Sequence, residues 1–540
     1  MKPDYDYIVI GAGSAGCAVA NGLSADGSAS VLLVESGPVD RSPLIHMPRG
    51  LGIINNPGSK YIWEYNVETG RDQPEERWFR GRTLGGSSST NGMIYMRGAP
   101  LDYDGWEALG CTGWGWDEVG QTFLELEDHE QGGAECRGVG GPQKITTHPE
   151  GDALFDAIIR AGEQMGIARV ADVNSMEAVR EGGLGYQPST RFRGQRFSSA
   201  RSFLRPALQR ANLDVATMTD ALKIVFEGRR AAGVVLRNNA GCATVSCNRE
   251  IVISAGAIQT PKLLQLSGIG PGTLLQSLGL EVLVEASEVG RNMREHRHVD
   301  LRLKVRGNSQ NQDFSGIRAG WTALQYILAR KGPMTHCAHE VGGFAKSDPA
   351  LDHADLQFGL MSVSASSTGK DGAVALDTYP GITFITYFKR PESQGEVRIQ
   401  SPDPDARPHV NVNHLSAEID RRKFIAAFRW NRRLAAQPAL RDWVVEETYP
   451  AGMVDSDEEI LANAMELGGS CFHSAGTARM GGDEQAVLDP RLRVRGIEGL
   501  RVADTSIMPT LVSGNTNGPA MMIGMRAAKF IKEDRAAGLP

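Results

Sequence analysis

At 540 residues the chain exceeds what one hydrophobic core usually serves, so two or more domains are expected. Its 41% hydrophobic and 22% charged residues are those of an ordinary globular protein. With 57 basic against 64 acidic side chains the net charge is −7, which argues against a nucleic-acid or anionic-membrane partner.

The start, MKPDYDYIVIGAG, lacks the basic region, apolar stretch and small-residue cleavage site of a secretory signal. No uninterrupted apolar run approaches the roughly 18 residues of a spanning helix. The seven cysteines are odd in number and scattered, without a CxxC pair, so reduced thiols in a cytoplasmic protein are expected and a disulfide or zinc framework is not. The 64 glycines, about 12% against a usual ~7%, gather in motifs, as they do where backbone must approach a large ligand.

Residues 5–10 read as a buried strand, Gly11-Ala12-Gly13-Ser14-Ala15-Gly16 as a turn, 17–23 as a small-residue helix and 28–34 as a second strand ending at Glu35: a βαβ unit. Residues 36–76 look irregular. Residues 81–98 form a Gly/Ser-rich turn running into an apolar segment, 129–141 an exposed loop and 152–166 a helix. Short alternating runs over 213–248 predict an antiparallel meander. Residues 250–254 predict a further buried strand before Ala255-Gly256-Ala257. From 299 to 465 strands such as 381–388 and 395–400 mix with helices such as 417–436. A short strand at 499–504 and a last helix at 519–537 close the chain.

The G-x-G-x-x-G stretch is a weak signal alone, but here it follows a strand, opens a helix and is followed 19 residues later by Glu35. Gly11 permits the tight turn, Gly13 admits a pyrophosphate and Gly16 lets helix and strand pack closely. The helix N-terminus, with Ser14 and Ala15, would then face phosphates, and Glu35 would accept hydrogen bonds from ribose hydroxyls. No Arg adjoins Glu35, which disfavours a 2′-phosphate. This motif leaves FAD and NAD both open. The run Gly81-Arg82-Thr83-Leu84-Gly85-Gly86-Ser87-Ser88-Ser89-Thr90-Asn91-Gly92 adds flexible backbone donors suited to a large anionic cofactor.

With these residues the sequence resembles the glucose–methanol–choline (GMC) oxidoreductases. Residues 81–98 (GRTLGGSSSTNGMIYMRG) match the family's first signature and 254–270 (SAGAIQTPKLLQLSGIG) the second. Residues 472–477 (FHSAGT), 500–509 and 513–517 (SGNTN) match its C-terminal pattern, and all fall in the family's order across essentially the whole chain. The resemblance implies an α/β fold. A Rossmann-like FAD-binding domain would be built from residues 1–150, 200–300 and 466–540. An α+β substrate domain with a large, mostly antiparallel sheet would be built from 151–199 and 301–465. It places Arg82, Leu84, Gly85, Gly86, Ser87, Thr90, Asn91, Gly92, Ala255, Asp504, Asn515 and Thr516 at the cofactor. Some members attach FAD through a histidine at the position of Thr90, so noncovalent FAD is expected here.

Oxidising an alcohol by hydride transfer needs a base for the hydroxyl proton, and His is suited to it near neutral pH. His473 matches the family's active-site histidine, and Asn515 matches a partner that is His or Asn in different members; its amide could donate to the substrate oxygen. His296 and His298 could instead suggest a metal on a strand face, but no third ligand is spaced for one, and no metal is expected. Thr516 or Asn517 could cap the last helix, whose positive end would suit the flavin edge that gains negative charge.

Glu340 matches a residue that helps hold the trimethylammonium group of choline in some relatives, and Phe472 could wall an apolar pocket. Primary aliphatic or aryl alcohols are the default substrates, with choline-type substrates as an alternative. The family's photodecarboxylase branch lacks a histidine at position 473, and its lyase branch runs without net redox. A non-catalytic flavin-binding homologue would be expected to lose His473 or Asn515. Residues 91–98 lie closer to choline-dehydrogenase-type relatives than to covalent oxidases, which favours a quinone- or dye-like electron acceptor over O₂.

Overall fold

The computed structural model describes the whole chain except residues 71, 72, 369–373, 451, 453, 539 and 540. Two seven-stranded sheets organise it. In the first, Leu213–Ala216, Val31–Val34, Asp4–Ile10 and the C-terminal half of Gly241–Ile253 run parallel, and Leu500–Val502 pairs with that half on its other side. These strands are continuous apolar runs (VLLV, and YIVI within the first strand), as expected of a parallel sheet covered on both faces.

The separate meander and strand predicted over 213–254 are one structure. Gly241–Ile253 is a single 13-residue strand. Its first half pairs antiparallel with Arg230–Asn238, and its second half, from Ser246, pairs parallel with Asp4–Ile10. Exposure changes along it from solvated to fully buried, which is why the two halves read as different elements.

The second sheet is antiparallel throughout, in the order Val444–Tyr449, Arg297–Val305, Gly381–Phe388, Leu356–Met361, Val341–Ala345, Gly183–Tyr186, with Gly468–Ser470 pairing to the start of Arg297–Val305. Burial alternates residue by residue along Arg297–Val305. Val299, Leu301, Leu303 and Val305 enter a core shared with the helices Ala153–Gln164 and Glu418–Ala435. The opposite face carries His298, cross-strand from Tyr387, and roofs a cavity.

Residues 36–76, expected to be irregular, contain a strand, Ile62–Val67, paired with Glu76–Gly81 from Ile62↔Gly81 to Val67↔Glu76. Its β-forming side chains supply the reason: Tyr65 and Val67 pack with Trp78, Ile258 and Val410 in a small core of their own. Helices Ser14–Ser24 and Asn517–Ala536 cross closely. A Cβ at Gly524 would stand 2.4 Å from the Ala15 carbonyl, so glycine is what lets them meet. That crossing brings two helix N-termini, separated by about 500 residues of sequence, to the same cavity. Among the described residues no helix is long and apolar enough to cross a membrane.

Candidate active site

A cavity of ≈ 550 Å³ runs between the two sheets. At one end the strand Asp4–Ile10 delivers the glycine turn. Gly11 has φ 101°, and a Cβ there would meet the Ser254 carbonyl at 2.4 Å, while one on Gly16 would meet the Gly11 carbonyl at 1.9 Å. Gly16 therefore lies behind the turn as a packing position, whereas Gly11, Gly13, Ser14 and Ala15 line the cavity. No side chain caps the helix start at Gly13, so its amides stay free for an anion.

Glu35, at the end of Val31–Val34, accepts hydrogen bonds from Ala12 N (3.0 Å) and Gly37 N (2.8 Å) and lines the same wall. Burial pushes its carboxyl up to about 7, against those two amides and the charge of Arg82. Arg82, distant from Glu35 in sequence, is thus its spatial neighbour, with its guanidinium 4.3 Å from the Trp63 ring centroid.

Of the serine-rich turn, Gly86, Ser87, Thr90, Asn91 and Gly92 line the cavity. Arg82, Leu84 and Gly85 do not, and support it from behind. Gly85 N donates to Ala12 O at 2.7 Å, joining the two glycine turns, and Leu84 sits in the first core. Ala255 lines the wall where helix Gly256–Leu266 begins, and Asp504 accepts from Gly256 N (2.9 Å) and Thr260 Oγ1 (2.6 Å). Thr516 holds the N-cap position of the last helix, but its side chain does not cap. Asn517 instead accepts from Ser14 Oγ at 2.8 Å, so this second N-terminus also presents free amides.

At the other end, His473, Asn515 and Phe472 stand together against the second sheet. His296, buried on the chain just before Arg297–Val305, places Nε2 2.8 Å from the Lys389 carbonyl and Nδ1 3.0 Å from His473 Nδ1. A carbonyl only accepts, so His296 Nε2 carries its proton. Burial holds His296 down to about 4 and His473 well below the usual histidine range, so both rings are neutral at pH 7. His296 Nδ1 is then the acceptor and His473 Nδ1–H the donor, which leaves His473 Nε2 unprotonated, an acceptor. Gln357 Nε2 donates to Asn515 Oδ1 at 3.0 Å, turning Asn515 Nδ2 toward His473 Nε2 at 2.9 Å.

The His473 backbone is fixed as well. Its N–H donates to Glu295 at 2.5 Å, and Ser474 Oγ donates to the other carboxylate oxygen at 3.0 Å, with Arg80 3.6 Å from the latter. Phe472 takes φ 61°, a costly conformation for an aromatic residue, and its ring lies 4.5 Å from that of Phe79. Tyr387, 4.8 Å from the His296 ring, lines the cavity with a buried hydroxyl unpaired among the described residues.

Glu340 corrects an expectation. It does not line the cavity; it is fully buried behind it, 2.5 Å from Arg49 and accepting from Ser362 Oγ at 2.7 Å, and this surrounding holds its carboxyl down to about 2. Its neighbour His339 faces the cavity instead. Sequence reasoning missed Glu295, Tyr387 and Arg196. Arg196 is a buried guanidinium bonded to the neutral oxygens Ile45 O, Ser88 O and Asn91 Oδ1, so it fastens the serine-rich turn. The sequence weighs His296 only as a metal candidate; its neighbour in space is His473. Among the described residues no cluster could hold a metal.

Two uncapped helix N-termini, a buried carboxyl at the end of the second strand and a neutral histidine backed by a second are the parts of a dinucleotide-dependent oxidoreductase, and the glycine cradle fits FAD. Comparison with known proteins gives the same class. The family model for the N-terminal part of the GMC oxidoreductases matches residues 5–298 and that for the C-terminal part matches 391–524. The chain is 37% identical to "Alcohol dehydrogenase [acceptor]" of Pseudomonas putida, over 98% of this chain and 95% of that protein. It is also 37% identical to the "Oxygen-dependent choline dehydrogenase" of Rhizobium johnstonii, over 97% and 95%. The crystal structure of pyridoxine 4-oxidase from "Mesorbium loti" superposes with a TM-score of 0.88 at 28% identity, covering 98% of this chain and 99% of that one. The chain belongs to the GMC oxidoreductase family and is an FAD-dependent oxidoreductase of its alcohol and choline branch.

Proposed function

We propose that the protein oxidises a primary aliphatic or aryl alcohol to the aldehyde, with His473 as base and Asn515 as its hydrogen-bonding partner. The observation that carries this reading is the unprotonated Nε2 of His473, fixed as an acceptor by the chain from Lys389 O through His296. FAD, held noncovalently, supplies the hydride acceptor when bound.

The protein's own part is to position and to move a proton. The substrate hydroxyl donates to His473 Nε2, replacing the amide of Asn515 there. Asn515 Nδ2, held by Gln357, then steadies the substrate oxygen as it gains negative charge. The proton passes to Nε2 as the hydride leaves carbon. The resulting imidazolium keeps its Nδ1–H on His296, so no ring need turn during the step. Phe79, Phe472 and Ile385 give the cavity an apolar wall, which favours aliphatic and aryl groups. A choline-type substrate is less well served, because the Glu340 carboxylate is already neutralised by Arg49 and turned away.

For the electron acceptor we favour a quinone- or dye-like carrier. Steady-state turnover in air on a primary alcohol should require an added dye, with aldehyde accumulating and little hydrogen peroxide formed. Dye-independent turnover with stoichiometric peroxide would make the protein an oxidase.

A further inference from the structure

Helix Gly316–Ala329 turns its apolar side outward. Of its side chains only Thr322 and Tyr326 are buried, while Ile317 is 94% exposed, Trp321 61%, Leu324 43%, Ile327 71% and Leu328 76%. Ile317, Trp321, Leu324 and Leu328 recur at i, i+4, i+7 and i+11, which sets them in one stripe along the helix. Apolar side chains scattered singly over a surface need no explanation; a stripe of this size on one helix marks a contact.

The charges beside it identify the partner. From residue 314 to 339 the chain has Arg318, Arg330 and Lys331 and no Asp or Glu, although the chain as a whole carries a charge of −7; Asp313, just before the helix, lies within electrostatic reach of Arg318 and leaves Arg330 and Lys331 as the surplus. All three cations are exposed. Arg193 joins them, since its neighbour Gly194 packs against the Arg330 carbonyl. An apolar stripe edged by cations matches the interface of an anionic bilayer: Trp and aliphatic side chains reach below the headgroups, while guanidinium and ammonium groups stay level with the phosphates.

We propose that Gly316–Ala329 is a peripheral docking helix for an anionic phospholipid surface. Its position gives docking a consequence. Segment Pro333–Thr335, just after the helix, packs on Pro48–Gly50, and Leu51 and Asn55, which follow directly, line the cavity. Ile53, between them on the short helix Leu51–Ile54, is 58% exposed. The wall of the cavity is therefore held close to the bilayer, where apolar alcohols concentrate.

The test is sedimentation of the FAD-loaded enzyme with vesicles of phosphatidylcholine, with and without phosphatidylglycerol. The enzyme should pellet with the mixed vesicles, less with phosphatidylcholine alone, and be released as salt is raised. The double variant Ile317→Asp, Trp321→Asp should lower the ratio of bound to free protein at least about tenfold while keeping its flavin spectrum. Should that variant not fold, Arg330→Glu with Lys331→Glu should give a smaller loss in the same direction. Equal pelleting of parent and variants, or of both vesicle types, would overturn the proposal. So would a parent that ignores vesicles but sediments as a dimer that the double variant splits, which would assign the stripe to self-association.

Discussion

The two ends of the cavity are built by different means. At the dinucleotide end the groups offered are mostly backbone amides, exposed by glycines and by two helix starts that no side chain caps, with Glu35 as the principal side-chain group. At the other end the groups are side chains brought from segments near 296, 357, 389, 473 and 515, linked ring to ring and amide to ring. Backbone sites tolerate little change of position but much change of sequence around them, whereas a side-chain relay fails when any member goes. A substitution at the relay end should therefore act on rate, and one at the dinucleotide end on cofactor retention.

The largest effect expected is from His473→Ala, which removes the lone pair that takes the proton. Reduction of the bound flavin by alcohol should slow by roughly 10²–10⁴ with FAD still present. A near-parent rate would mean that the base lies elsewhere and that the contrast between the ends is misdrawn.

His296→Phe keeps an aromatic ring, slightly larger, but removes the acceptor for His473 Nδ1–H. As an orienting partner of the base it should cost roughly 10–100-fold in reduction rate, the range seen when a histidine loses its second hydrogen bond. It should also move the acid limb of the pH profile. In the parent, burial keeps His473 neutral through pH 6, where an ordinary histidine begins to protonate, so the rate should stay flat there. His296 is itself neutral at this pH and steadies the His473 imidazolium only as the acceptor for its Nδ1–H, so in His296→Phe the limb should move to lower pH. A fall in rate with no movement of the limb would reduce His296 to a packing role.

The smallest effect on rate belongs to the dinucleotide end. Glu35→Ala should weaken FAD retention by about 1–3 kcal/mol through lost charge-assisted hydrogen bonds, leaving the reduction rate of loaded enzyme nearly unchanged. In parent and variant alike, denaturation should free FAD into solution, since Thr90 has no ring nitrogen to bond it. Undiminished retention after extensive dialysis would remove Glu35 from the cofactor's partners.

The same contrast governs what could be read from the sequence. The glycine turns are local: spacing within a dozen residues marks Gly11, Gly13 and Gly86, and the β-branched and aromatic run of Gly381–Phe388 and the amphipathic run of Glu418–Ala435 mark their elements closely. The relay is not local. Nothing near His296 announces that its Nδ1 meets a ring 177 residues away, and Tyr387 is one aromatic in a strand of several. Glu340 misled because position in a motif does not say which way a side chain points. The Ile62–Val67 hairpin was lost behind the Gly, Pro and Asn around it.

The account rests on electrons passing from an alcohol carbon to the cofactor held between these two ends. Anaerobic mixing of the FAD-loaded enzyme with a panel of primary aliphatic, aryl and choline-type alcohols, followed through the flavin absorbance, tests it directly. The account predicts bleaching by the aliphatic or aryl members with one aldehyde formed per flavin, and slower bleaching by choline. A flavin that stays yellow across the panel, or product that forms without loss of its colour, would contradict it.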